Sequence, residues 1–258
     1  MQFGNSLRKR MRQRGALRTA ALVLLCGLPL AAAMASDKAE PGQKVDSGSF
    51  GVFMSGKRVA TETFSIHQDS AGSSISSEFK TDAGTVQAAQ SSELKLASNG
   101  ELKSYEWKEA SPGQSQATVV PKDEFLLERF SNNPVEKQKE QPFLLPASTS
   151  ILDDYFFVQR EVLAWKYLAT SCKQDKGSPE CPLKQSVQMG TLNAHTRASS
   201  LVTVQFSGRE KTTIRGTERE YIRLDMKSDV GDWTLWMDDQ LKLQKVVDVA
   251  DNTEVVRD

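Results

Sequence analysis

Few side chains in this sequence have the types and spacing of a catalytic or metal site. The chain has two histidines, His67 and His195, far apart and among polar neighbours, so we predict exposed imidazoles. The acidic pair Asp153 and Asp154 is the nearest approach to a carboxylate dyad, but adjacent carboxylates are typical of a helix start. Sequence motifs for a nucleophile elbow, a zinc protease, a phosphate-binding loop or a dinucleotide-binding turn are missing. We therefore predict no enzymatic activity, no metal and no cofactor, with a hydrolase of dispersed carboxylates as an alternative.

Two cysteines that flank a short hydrophilic loop predict a disulfide. Cys172 and Cys181 enclose the sequence KQDKGSPE. In an oxidising compartment such a pair most often forms a structural bond. A redox or metal pair usually has the tighter CxxC spacing or a second pair of ligands, and the chain has neither.

Aromatic side chains concentrate in one predicted helix and one predicted strand. They admit two interpretations, an ordinary core between helix and sheet or an apolar cavity suited to an acyl chain. Under the second interpretation the candidate ligand contacts are Tyr155, Phe156, Trp165, Trp233 and Trp236.

One long helical pattern must position the first group of aromatics. Residues 151–169 carry two adjacent apolar stripes at helical spacing, which predicts one helix with a wide apolar face. Ser148 and Ser150 offer N-caps, and the charges of Asp153 and Asp154 suit the positive end of the helix dipole. We expect this helix to pack on a sheet.

The rest of the chain has the short period of β-strands. Ala60, Glu62, Phe64 and Ile66 share one face of a predicted strand, and Asn99-Gly100 predicts a tight hairpin turn. Such runs recur at short spacing over residues 48–258 without a break that demands a second domain. We predict a mainly β fold, a single curved antiparallel sheet or half-barrel of about eight to eleven strands with one central helix packed on it.

The N-terminal segment has the three parts of a signal peptide. Six basic residues and no acidic residue precede an uncharged stretch over residues 19–35, which ends in Ala33-Met34-Ala35. We predict cleavage near Ala35, a periplasmic or secreted location, and a flexible tail over residues 36–47. A retained membrane anchor and a lipid on Cys26 are the alternatives, although Leu25 is large for the position before a lipidated cysteine.

Cleavage changes the charge of the protein. The precursor has 33 basic and 33 acidic residues, and removal of the six basic ones leaves 27 − 33 = −6. A mildly acidic protein is a poor partner for nucleic acids or anionic lipid surfaces. We therefore predict no nucleic-acid partner and no stable membrane span after processing.

Three segments together resemble a known type of domain. They are GVFMSGKRVA at 51–60, ILDDYF at 151–156 and WTLWMD at 233–238, followed by Val246 and Val247. This arrangement resembles uncharacterised exported bacterial β-sheet domains, which are similar in outline to the half-barrel carriers that ferry lipoproteins across the periplasm. The resemblance implies a curved sheet with a helix on its concave side. It supplies no catalytic residue, and its pattern does not include the loop between Cys172 and Cys181.

These features together predict a noncatalytic periplasmic binding or carrier domain for an apolar, lipid-like ligand. A structural or protein-interaction module of the cell envelope is the main alternative, with an envelope protein as its partner. The space beneath the helix distinguishes the two, because ligand pockets begin at about 300 Å³ and an ordinary core is packed without such voids.

Overall fold

The computed structural model describes residues 42–82, 87–175, 178–229, 231–248 and 250–258. The predicted signal peptide, residues 1–35, lies outside the described residues, as does the predicted tail up to residue 41. In the described part of the chain, strands dominate and a single helix, α1, spans Val158–Ser171. The strands are β1 (Gln43–Met54), β2 (Lys57–Asp69), β3 (Gly72–Thr81), β4 (Ala89–Ala97), β5 (Leu102–Ser111), β6 (Gln116–Lys122), β7 (Phe125–Ser131), β8 (Lys139–Phe143), β9 (Ser150–Ile151), β10 (Lys173–Asp175), β11 (Ser178–Glu180), β12 (Ser186–Asn193), β13 (Ala198–Ile214), β14 (Thr217–Ser228), β15 (Gly231–Met237), β16 (Leu243–Asp248) and β17 (Thr253–Arg257).

Fifteen of the described strands form one sheet, which is almost entirely a meander of antiparallel neighbours. Strands β1 to β8 follow one another on one side of β1, and β17 back to β12 follow on the other side, with β9 at that edge. The first and last strands pair in the middle, with Phe50 opposite Arg257. The predicted single antiparallel sheet is therefore confirmed, with more strands than the eight to eleven that we expected.

A short connection forces this sheet to curl. A flat sheet of fifteen strands would be about 67 Å wide at ~4.8 Å between neighbours. Its two edges, β8 and β9, are joined only by residues 144–149, which can span at most ~25 Å. The amide of Leu102 also donates to the carbonyl of Ala147 in this connection, at 2.8 Å. The edges must therefore approach each other, although the sheet does not close.

Local turn chemistry sets the hairpins where the sequence predicts them. Asn99-Gly100 lies between β4 and β5, with Gly100 at φ +80°. Ser55-Gly56 and Arg215-Gly216 both have two consecutive positive φ angles, which is the geometry of a tight hairpin turn that follows the twist of the strands. Strand β8 is one that the sequence pattern missed. It is a charged edge strand whose backbone pairs with β7, so it needs no apolar alternation.

The helix packs on the face of the sheet that the alternating apolar residues share. Ala60, Glu62, Phe64 and Ile66 of β2 are all buried, as predicted. The three apolar ones belong to the same continuous core as Leu163 of α1. The role of Glu62 is described below. The predicted packing of one helix on the sheet is confirmed.

Two predicted boundaries differ from the structure. The helix begins at Val158 and not at residue 151, because Ser150 and Ile151 instead pair in parallel with β12 as the edge strand β9. Residues 43–47 of the predicted flexible tail belong to β1, where their backbone pairs with the end of β2. In both places hydrogen bonds to a distant strand decide the conformation.

The predicted disulfide is confirmed. Cys172 directly follows α1 and is bonded to Cys181 with an S–S distance of 2.05 Å. The bond closes the base of the hairpin formed by β10 and β11. It joins the residue that follows β11 to the C-terminus of the helix. Among the described residues, no helix has the length and apolar character needed to cross a membrane.

Candidate functional site

A cavity of about 330 Å³ lies between α1 and the inner face of β2, β3 and β4. Its wall on the strand side is aliphatic, with Ile66, Ile75 and Leu94. Val162 and Leu163 form the helix side. These residues come from separate strands and from one stripe of the helix, so the curvature of the sheet brings them together. This cavity is partly open to solvent, so it is a cleft that a ligand can enter from the surface.

A second cavity of about 310 Å³ lies beside the first, and its lining adds Gln240, Leu241 and Lys242 to residues that both share. Both cavities are lined by Trp165 and by Ala169 one helical turn later. The indole is half-buried, and its Nε1 donates to the carbonyl of Leu241 at 2.5 Å. The hydrogen bond holds the ring at the border that the two cavities share.

Lys166 is the one charged side chain among the residues that line the larger cavity. Its ammonium donates to the carbonyl of Ser148 and to Oγ of Ser150, the latter at 3.2 Å. Burial lowers the pKa of this lysine, whereas Glu101 acts in the opposite direction. The cavity is thus mostly apolar, with several uncharged polar side chains such as Gln68 and Gln159 and a single cation in its lining.

The opposite end of the helix has a buried polar network and Glu62 of β2 at its centre. The side chain of Glu62 is 0% exposed. Its Oε2 accepts from the amide of Phe157 at 2.7 Å, and its carboxylate also accepts from the amide of Val158 at 3.3 Å. The hydroxyl of Ser77 donates to its Oε1 at 2.7 Å. Burial raises the pKa of Glu62 to about 7, and these hydrogen bonds limit the rise.

Glu62 therefore takes the capping role that the sequence assigned to local residues. A helix start leaves backbone amides without partners, and a carboxylate there satisfies them and suits the helix dipole. Asp153 instead accepts from the hydroxyl of Tyr105 at 3.1 Å and from the amide of Tyr155 at 3.1 Å. Asp154 accepts from Asn193 at 2.9 Å. The prediction that Asp153 and Asp154 serve the helix start is wrong, because the helix begins beyond their reach.

Arg160 is a buried cation in the first turns of α1. Its guanidinium carbon lies 4.8 Å from the ring centre of Phe157 and 4.8 Å from that of Trp233. Its Nη1 donates to the carbonyl of Asp153 at 3.2 Å. Burial lowers the pKa of Arg160, and nearby carboxylates including Asp154 and Glu62 oppose that effect. The ring of Trp233 thus packs on a cation at the N-terminal end of the helix.

A second ionic group joins the first turn of α1 to β1 and β17. Arg257 contacts Asp46 at 2.6 Å and Glu161 at 3.6 Å, and Lys242 contacts Asp46 at 3.0 Å. Burial favours a higher pKa for Asp46, but the hydrogen bonds from Arg257 and Lys242 outweigh it and the pKa is lowered. Burial raises the pKa of Glu161 well above its ordinary value, and the neighbouring Asp46 adds to the effect. Glu161 thus links the first turns of the helix to Arg257, and Asp46 and Lys242 complete the group.

Of the five aromatic residues predicted to contact a ligand, the structure places Trp165 at the two cavities. Phe156 is fully buried in the core, and Trp233 contacts Arg160. Tyr155 packs edge-on against Phe79, with ring centres 5.3 Å apart. Trp236 lies on the other face of its strand, with the ammonium of Lys245 at 5.7 Å from its ring. The five residues therefore do not form one cluster.

The prediction of exposed imidazoles is wrong for both histidines, because His67 is half-buried as well as His195. The imidazole of His195 packs edge-on against Trp107 and Tyr155, with ring centres 4.7 Å and 5.0 Å away. His195 acts electrostatically on Asp153, which in turn acts on Glu128, and burial raises the pKa of Glu128 to about 7. A carboxylate pair that hydrolyses a substrate must face a cleft. Asp153 and Glu128 line neither of the two cavities.

The sequence pattern missed the aliphatic wall and the lysine of the larger cavity. Alternation places Ile66, Ile75 and Leu94 on an apolar face, but it carries no signal that distinguishes a residue beside a cavity from one in a packed core. Glu62 did leave a signal, since it is the one charged member of a buried run in β2. A carboxylate on such a face needs a buried partner.

Comparison with known proteins supplies no further assignment. No family model matches the chain, and neither a curated protein nor a solved structure is significantly similar to it. The resemblance to exported β-sheet domains and half-barrel carriers stays a prediction. A functional assignment therefore depends on the cavity and on the residues around it.

Proposed function

We propose that this protein is a noncatalytic binding or carrier protein that holds an apolar, lipid-like ligand beneath α1 outside the cytoplasm. The observation that carries the proposal is the cavity of about 330 Å³ between the helix and the sheet. Ligand pockets in proteins begin at about 300 Å³ and are mostly apolar with a few polar groups. The aliphatic wall and the single lysine have that composition.

The cavity favours a carrier over the two alternatives. A structural or interaction module of the envelope needs no apolar cleft beneath its helix, whereas a carrier of an apolar ligand does. A hydrolase with dispersed carboxylates needs two of them beside the bound substrate, whereas the larger cavity has no acidic residue in its lining. The predicted signal peptide supports a location in the periplasm, where an apolar ligand in water needs a sheltered site.

Blocking the cavity from its rim tests the proposal. Ala169 is exposed and lines both cavities, so Ala169→Trp places a large ring at their border with little effect on the core. Ala198→Trp makes the same change at an exposed alanine that lines neither cavity. The measurements are native mass spectrometry of protein purified from cells and titration with the neutral dye N-phenylnaphthylamine.

We expect wild type and Ala198→Trp to bind the dye equally, and Ala169→Trp to bind at least about tenfold more weakly, a change of ~1.4 kcal/mol. We also expect a copurified apolar molecule that only Ala169→Trp lacks. Absence of dye binding to wild type, or equal binding to both variants, would contradict a ligand site beneath α1.

A further inference from the structure

The lysine at the larger cavity is unusual in its partners. Lys166 is half-buried, and both of its hydrogen-bond acceptors, the carbonyl of Ser148 and the hydroxyl of Ser150, are neutral. No ion pair among the described residues includes Lys166. Glu101 acts on this ammonium without a contact that counts as an ion pair. A partly desolvated ammonium whose hydrogen-bond partners are neutral gains free energy when an anion comes into contact with it.

The ammonium of Lys166 also has one N–H group beyond those in its two hydrogen bonds. A lysine has three N–H groups, and the contacts to Ser148 and Ser150 use two of them. No hydrogen bond within the described part of the chain uses the third. Because no acidic side chain lines the larger cavity, an acceptor with negative charge there would have to come from a ligand.

The rest of the cavity suits a single hydrocarbon chain. Ile66, Ile75, Leu94 and Leu163 offer only aliphatic surface to a ligand. The volume of about 330 Å³ is near the lower end of ligand pockets, which is too small for a lipid with several chains. Within one site, the head group of a ligand would therefore lie beside the ammonium of Lys166 and its chain beside the aliphatic residues.

We propose that the ligand is a single-chain alkyl carboxylate, with its carboxylate on Lys166 and its chain along the aliphatic wall beneath α1. This assignment rests on the proposed function, since it names the chemical class that the same cavity binds. The alkyl chain supplies the hydrophobic part of the affinity. The charge-assisted hydrogen bond to Lys166 discriminates an acid from a neutral amphiphile of equal length.

Calorimetric titration with three ligands of equal chain length tests the assignment. Decanoate, decanol and decyltrimethylammonium share a chain of ten carbons and have an anionic, a neutral and a cationic head group, respectively. We expect decanoate to bind wild type at least about tenfold more tightly than decanol, because a hydrogen bond to a charged group contributes about that much. The cationic amphiphile should bind more weakly than decanol.

Three variants attribute the effect to the lysine. Lys166→Met should weaken decanoate to the level of decanol and leave decanol unchanged, while Lys166→Arg should keep the preference for the acid. Lys103→Met is the matched control, since this exposed lysine also donates to a backbone carbonyl, that of Ala71, and does not line the cavity. We expect it to bind all three ligands as wild type does. Unchanged binding of decanol shows that the cavity of a variant is intact.

The outcomes separate the two proposals. Equal binding of decanoate and decanol by wild type would overturn the carboxylate assignment and leave the carrier function standing, and this comparison needs no variant to fold. A persistent preference for decanoate in Lys166→Met would overturn the role of Lys166. Failure of all three ligands to bind would overturn both the assignment and the proposed function.

Discussion

The two ends of the single described helix differ in how they meet the sheet. At its N-terminal end, Glu62, Arg160 and Glu161 are buried, and each has a partner on another element. In its C-terminal half, Trp165 and Ala169 border two cavities. We call the first the anchored end and the second the open end. The contrast indicates that α1 is held firmly on the sheet at its anchored end, and that this allows space to remain between helix and sheet at its open end.

Buried charges are a costly way to fix a helix, but they are a specific one. Apolar packing tolerates small shifts of a helix along a sheet, whereas a buried carboxylate that loses its donors is strongly destabilised. The bonds from Phe157 and Val158 to Glu62 therefore set the position of α1 on β2. With that position fixed, the walls of the cavity keep their separation without a side chain to fill it.

Removing the carboxylate of the anchored end should have the largest effect. Glu62→Ala leaves two buried backbone amides without their acceptor and takes away a charge near Arg160. We expect a loss of about 3–4 kcal/mol in the free energy of unfolding, which chemical denaturation measures. Glu78→Ala is the control, since Glu78 is exposed on the neighbouring strand and pairs with Lys80. A loss below ~1 kcal/mol for Glu62→Ala would show that the open end, and not the anchored end, holds the helix.

The pH dependence of stability should sharpen the comparison. The pKa of Glu62 in the folded protein is about 7, against 4.5 for an ordinary glutamate, so the folded state binds the proton more tightly than the unfolded state does. Stability is then highest below the unfolded value and falls as the pH rises through about 7. For Glu62 this amounts to roughly 2–3 kcal/mol between pH 5 and pH 8.

Glu62→Gln should remove that contribution and flatten the profile over this pH range. Glu128, whose pKa is also raised to about 7 by burial, adds a slope of the same sign that remains in the variant. Asp46 contributes a pH dependence of stability with the opposite sign. This contribution is confined to acidic pH, because the pKa of Asp46 is lowered from 3.8. Denaturation curves at several pH values measure the profile. Identical profiles for wild type and Glu62→Gln would contradict the raised pKa.

The smallest effect concerns Trp165, the ring at the border of the two cavities. Trp165→Phe keeps an aromatic ring but loses the hydrogen bond to Leu241, which we expect to cost about 1 kcal/mol. Trp236→Phe is the matched change, because its buried Nε1 has no acceptor among the described residues. We expect a smaller loss there, since an unsatisfied donor is removed with the indole. Thermal unfolding of the two variants measures the difference, and an equal loss would mean that the bond to Leu241 contributes nothing.

The sequence alone determined the features that depend on near neighbours. Alternation along β2 gave its buried face, and Asn99-Gly100 gave the hairpin between β4 and β5. Cys172 and Cys181 predicted their own bond, because only a short hydrophilic loop separates them. The aromatic helix predicted a wide packed face. Each of these follows from dihedral preferences or from the period of side chains, which a short segment already contains.

Only the tertiary structure decided where the helix begins, which aromatic residue meets a cavity, and that a cavity exists. The acceptor at the helix start is Glu62, which lies 95 positions before Phe157 in the chain. The strand partner of Ile151 is β12, and the two walls of the larger cavity come from strands and helix that only the curl of the sheet brings together. Such contacts join distant segments, so no local pattern encodes them. Volume left between packed elements is likewise a property of the whole fold, because it depends on how far every wall is held from the others.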